Sequence, residues 1–264
     1  MDTIFNKAIR LCITAFVSII LVGCSTTTDQ RTDPPASYQR IDNFPMYGQP
    51  KIQRSEELKR ADEDFIKKAS EGLGGREKAS QMFSSQGQRY LNEGNLDFAM
   101  RRFNQSWLLN PNNHQPYWGF GQVVSHLDGS AVTVQFLENS LQLDQLDAVL
   151  QYFNKALELI NVPSEKPRLL SDLANVYAMK ATSLPMDKAQ EKNQLFLLSN
   201  KHFAESTKLD PSNGDIWKVW AMSTYSQGNF SDTWKRVKQA RIHNAKPFPP
   251  EFLRDLEQKM PEPK

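Results

Sequence analysis

The sequence predicts an all-α fold: a solenoid of about four helical hairpins, two of them carrying insertions. Three observations predict it. From residue 80 onward, glycine, aromatic, alanine and proline residues recur with a period of 34. Capping residues and glycine or proline stops bracket helix-length segments within each period. Small residues are also set at fixed distances from large aromatic ones, as two helices packed closely together require. A period of this length marks a stacked supersecondary unit, which buries its apolar face only against its neighbours.

The chain opens with "MDTIFNKAIR", carrying Lys7 and Arg10, followed by "LCITAFVSIILVG", 13 residues without a charge, and then Cys24. A basic start and a short apolar core form the layout of a secretory leader, and the run is too short for a comfortable membrane span. Leu21-Val22-Gly23-Cys24 resembles the lipobox of bacterial lipoproteins. That resemblance implies cleavage before Cys24, a diacylglyceryl thioether on its sulfur and a fatty acyl group on its amino terminus. It also implies a sorting signal at the next position. Asp there retains such lipoproteins of Gram-negative bacteria on the inner membrane, whereas Ser25 implies the outer membrane, facing the periplasm. The whole chain has 32 basic and 30 acidic residues; without Lys7, Arg10 and Asp2 the mature part has 30 and 29. This balance provides no field suited to nucleic acid. Cys12 leaves with the leader and Cys24 is lipidated, so the mature chain is expected to hold no disulfide.

Residues 1–23 are therefore expected to be a lipoprotein signal peptide and 24–53 a flexible tether, rich in Pro, Ser, Thr, Asn and Gln. Within the tether, "NFPMYGQP" brings Phe44, Met46 and Tyr47 together. It either docks back on the folded part, the favoured reading, or serves as a short binding motif. Residues 54–79 form a helix and a Gly-rich linker. Ser55 is the expected N-cap, Glu56 and Glu57 suit the positive end of the dipole, and Gly74-Gly75 ends the element. Leu58, Ala61, Phe65 and Ala69 make one apolar face.

The hairpins span 80–245. Counting Ser80 as position 1, Gly87 falls at 8, Tyr90 at 11, Gly94 at 15, Ala99 at 20, Phe103 at 24 and Pro111 at 32. The second frame (114–166) starts at His114, with Tyr117 and Gly121 in place, but Phe153 arrives about 16 residues late. The third (167–213) pairs Ala174 with Phe203 across about 13 extra residues, "TSLPMDKAQEKNQ", which are expected to lengthen its helices. The fourth (214–245) is regular, with Trp217, Ala221, Gly228 and Ala240. Residues 246–264, starting at Pro249-Pro250, give a capping helix and tail. Residues 80–245 resemble a tetratricopeptide-repeat protein in these positions, most specifically in the first and fourth units.

No site for catalysis or a cofactor is expected. His114, His126, His202 and His243 form no metal-ligand spacing, and His126 with Asp128 is read as a surface pair. "GLGG" lacks the Lys-Ser/Thr of a phosphate loop, and no serine lies in a G-x-S-x-G elbow. What the repeat resemblance implies is a groove lined by the first helix of each hairpin. Carried over, its residues are Gln81, Ser84, Gln88 and Asn92 in the first unit and Gln115, Trp118, Gln122 and Ser125 in the second. Arg168, Ser171 and Asn175 follow in the third, and Asp215, Lys218, Met222 and Tyr225 in the fourth. Trp118, expected to be partly exposed, is the best anchor for a partner. Such a mixture suits an extended peptide and lacks the Lys/Asn carboxylate clamp of chaperone-binding relatives. The expected function is that of a scaffold or adaptor for an envelope protein, in secretion or pilus assembly or with cell-wall enzymes. Two alternatives stand beside it: a structural protein forming homodimers through the two insertions, and a wall hydrolase or carbohydrate-active enzyme, which would need convergent carboxylates in a cleft.

Overall fold

The computed structural model describes residues 41–50, 52–127 and 144–263. The leader, Cys24, Ser25, the tether before residue 41 and most of the second unit's insertion lie outside them. The described residues form ten α-helices and no strand. In chain order these are α1 (Glu56–Leu73), α2 (Arg76–Asn92), α3 (Leu96–Leu109), α4 (His114–His126) and α5 (Gln145–Leu159). They continue with α6 (Lys166–Ser183), α7 (Ala189–Leu209), α8 (Gly214–Ser226), α9 (Phe230–Ile242) and α10 (Pro250–Lys259). None of them is long and apolar enough to cross a membrane.

Local chemistry sets the ends. Ser55 Oγ accepts the Leu58 N–H, and Gly74, at φ 76°, closes α1 in the left-handed conformation that a Cβ disfavours. Asn95 and Asn229 cap α3 and α9 by accepting the N–H of Phe98 and Asp232. Only half of the apolar face expected on α1 is used. Phe65, Ile66, Ala69 and Leu73 pack on Ala79, Phe83 and Leu109, while Leu58 and Ala61 face solvent.

Four antiparallel pairs, α2/α3, α4/α5, α6/α7 and α8/α9, are the hairpins; the first two pack on the next through their second helices, and the third packs on α8 through α6 as well as α7. The small-to-aromatic spacing sets the pairing distance. A Cβ on Gly87 would stand 2.7 Å from the Phe103 ring, and one on Gly119, in the following unit, 2.4 Å from it. Gly121 meets Phe153 in the same way, at 2.4 Å. Ala174 packs in one core group with Phe203, and Ala221 in another with Val237; all four are fully buried. In the third unit the extra residues lengthen the helices, as the sequence predicts: α6 has 18 residues and α7 has 21, joined by the 3-10 turn Met186–Lys188. Helix α10 covers the last hairpin with Phe252 and Leu256.

The segment "IDNFPMYG" docks, so residues 41–50 are not part of a free tether. Its two 3-10 turns, Ile41–Asn43 and Pro45–Gly48, lie on α3. Phe44 enters the main core, 3% exposed. Asn104 of α3, completely buried, holds the backbone: its Nδ2 donates to the carbonyls of Asp42 (2.9 Å) and Phe44 (2.8 Å), and its Oδ1 accepts the Tyr47 N–H. Arg101 pairs with Asp42 at 3.0 Å, and Arg54 lies over the Tyr47 ring. Met46, Tyr47 and Gly48 are all left-handed, at φ 53°, 55° and 76°. For the two non-glycine residues that conformation costs about 1–2 kcal/mol each, offset here by the clamp and by burial of Phe44.

Candidate partner-binding face

The first helices of neighbouring units do not all meet in the same way. Backbones of α2 and α4, and of α6 and α8, come close together. Helices α4 and α6 are bridged instead by polar side chains. Trp118 Nε1 donates to Asp172 Oδ2 at 2.8 Å, Gln122 Nε2 donates to the same oxygen at 3.4 Å, and Arg168 lies over the Trp118 ring. One end of the bridge is His114, buried, which shares a 2.7 Å hydrogen bond with Glu165 Oε2, while Gln115 Nε2 donates to Glu165 Oε1.

Burial raises the Asp172 carboxyl above its ordinary 3.8, against the Trp118 N–H, the Arg168 charge, the Gln122 amide and His126, all of which favour the carboxylate. An acid whose folded value is raised binds more protons folded than unfolded between the two values, so stability falls as pH rises through that window. Asp172→Asn keeps an acceptor for Trp118 and removes the titration. Its stability relative to the parent chain is expected to rise from pH 4 to 7, as read from urea unfolding across that range. A difference independent of pH would contradict the assignment.

The structure divides the expected groove residues into three groups. Gln81, Gln88, Asn92, Gln115, Gln122, Ser125, Arg168 and Asn175 are exposed or half-buried on the first helices. Ser84, Ser171, Trp118 and Met222 are buried, which corrects their expected place on the groove surface. Ser84 bonds Ser106 at 2.7 Å, because a small hydroxyl at that position lets α2 and α3 approach. Trp118, 9% exposed, spans the gap to α6 and is not available as an anchor. In the fourth unit Asp215 accepts the Lys246 N–H, Lys218 donates to the Pro247 carbonyl and lies over Phe248, and Tyr225 packs on Phe252. The chain's own C-terminal segment therefore occupies that end of the face.

Between α6 and α8 lies a shallow depression enclosing only about 10 Å³, lined by Asn175, Ala178 and Met179 on one side and Val219, Met222, Ser223 and Ser226 on the other. It brings together Asn175 and Met222, both expected in the groove. Met179 was missed, although it is one further step of the spacing that picked Arg168 and Asn175. Asp172 was missed because it lies outside the positions carried over.

No protein-family model matches the chain, and no curated protein matches it. The chemistry of the face must speak for itself. Two thioethers, Ala and Val make an adaptable apolar floor, with Asn175 and Ser226 beside it, while the Ser223 hydroxyl is buried and bonded to Ser199 and Gln227. Among the described residues no three His, Cys, Asp or Glu side chains stand together in a way that would hold a metal ion.

Proposed function

We propose that the chain is a periplasm-facing lipoprotein of the outer membrane, anchored through Cys24, whose repeat domain resembles tetratricopeptide repeats and holds an extended segment of another envelope protein. The observation that carries the binding half is the shallow α6–α8 depression, whose apolar floor of Met179, Val219 and Met222 suits surface contact with an apolar side chain of an extended segment. A further support is that α8 already holds an extended segment of this chain by its backbone, through Asp215 and Lys218. The anchoring half rests on the Leu21–Cys24 motif and Ser25; two or more acyl chains give stable attachment.

Two measurements test the two halves separately. Labelled palmitate is expected to enter the parent chain and not Cys24→Ala, and only the parent should sediment with outer membranes. Equal labelling would remove the anchor. In the full-length chain, a photo-reactive residue at position 175 is expected to cross-link an envelope protein that the same group at exposed Lys238 does not reach. Identical products from both positions, or none from 175, would remove the groove.

A further inference from the structure

We propose that Arg236 heads a second binding site, for the carboxylates of an acidic peptide, formed by α7 and α9 over the indole of Trp220. This inference does not depend on the groove reading, since the site faces the second helices of the third and fourth units.

The indole is a fixed floor. Its Nε1 donates to Asn200 Oδ1 at 2.9 Å, and its ring stacks on Phe203 and Trp217 at 5.8 and 5.5 Å. The Arg236 guanidinium lies over this ring, 3.9 Å from its centre. Such stacking holds the planar fork in one orientation and leaves its two terminal nitrogens, which unlike Nε are not buried, for hydrogen bonds.

Arg236 differs from comparable arginines in what it lacks. Arg54, Arg101, Arg102 and Arg236 all have a buried Nε without a hydrogen-bond acceptor. The first three are satisfied through charge or another nitrogen: Arg54 pairs with Asp62, Arg101 with Asp42, and Arg102 donates to Gln105. Among the described residues, Arg236 alone of the four has neither an ion pair nor a hydrogen bond. The carboxylate one turn away, Asp232, is already engaged by Lys235 at 2.7 Å and by Asn229 Nδ2 at 3.0 Å. Burial also lowers the affinity of the Arg236 guanidinium for its proton, with Asp232 opposing, as expected for a half-buried cation without a full partner.

The two solvent-facing terminal nitrogens match an acceptor with two oxygens, and a carboxylate provides them. An apolar neighbour is indicated too. Leu197 lies three residues before Asn200, on the same face of α7, and is 70% exposed. A peptide alternating acidic and apolar residues fits both features.

The probe is a capped hexapeptide of alternating Glu and Leu, added to the full chain in detergent, with its Gln counterpart and inorganic phosphate as comparisons. The Glu peptide is expected to quench tryptophan fluorescence saturably and to shift the Arg236 Nε–H resonance. Arg236→Gln should weaken binding roughly tenfold or more, and Arg236→Lys, which keeps the charge without the fork, by an intermediate factor. Equal binding of the Gln peptide, an unmoved Arg236 resonance or unchanged binding by Arg236→Gln would overturn the site. Phosphate binding as tightly as the peptide would overturn the carboxylate assignment. Should Arg236→Gln lose its helical circular dichroism, the resonance in the parent chain decides alone.

Discussion

Replacing Phe103 with alanine is expected to lower the free energy of unfolding by about 3–5 kcal/mol, the range for deleting a buried phenyl ring. The upper end applies because the walls of the resulting cavity are glycines. Gly87 and Gly119 face the ring from two successive units, and neither has a side chain able to move into the space. Phe120, whose ring meets Phe103 edge to face at 6.4 Å, is itself fully buried and held by Tyr117 and Tyr152. The converse change should also destabilise. Gly119→Ala drives a methyl group into the ring at 2.4 Å, and overpacking of this kind costs about 1–3 kcal/mol. The two substitutions are not independent, since the alanine methyl partly fills the space the ring leaves. The double variant should therefore lose less than the sum of the singles, by about 0.5–3 kcal/mol. Urea unfolding followed by circular dichroism measures all three. Additive losses, or a Phe103→Ala cost below about 1 kcal/mol, would show that the ring does not set the spacing between the first two units.

The second large effect is expected at Asn104. Asn104→Ala removes both donors to the Asp42 and Phe44 carbonyls and the acceptor for the Tyr47 N–H. Each buried backbone group left unsatisfied costs about 1–3 kcal/mol, and the left-handed conformations of Met46 and Tyr47 then have less to hold them. Residues 41–50 should detach, with faster amide exchange and new protease cleavage there, while α8 and α9 keep their protection, because units of a stack contact only their neighbours. Asn104→Asp should act alike, since a carboxylate cannot donate to the two carbonyls. Unchanged exchange at residues 44–47 in both variants would show that burial of Phe44 alone secures the segment.

The fold was legible wherever sequence spacing reflects a steric demand. Gly87 with Phe103, Gly121 with Phe153 and Ala174 with Phe203 could be paired because a small residue must face a large one across a closely packed hairpin, whatever the intervening length. Ser55 and Gly74-Gly75 were legible because caps act locally. The face of the stack was harder to read. Fixed repeat positions assume that all first helices pack alike, whereas α4 and α6 are held apart by the Trp118–Asp172 bridge, which turns an expected anchor inward. Asp215 and Lys218 were assigned to a partner for a related reason: nothing local in the sequence shows that "AKPF", thirty residues downstream, returns to lie across them. The Asn104 clamp was equally hidden, since an amide in a helix carries no sign of the distant carbonyls it will bind.

The docked segment changes the mechanics of attachment. Sixteen residues, instead of about thirty, separate Cys24 from the docked turn at Ile41, so the span between them cannot exceed about 60 Å even fully drawn out. With Cys24 as the proposed point of attachment, the line is fastened to α3, at the start of the stack. The assembly is then moored by its first hairpin, which stays within that radius of the bilayer, while the hairpin capped by α10 sits at the unmoored end. A polypeptide gripped between α6 and α8 would be held at a distance from the membrane governed more by the rigid helices than by the length of the line.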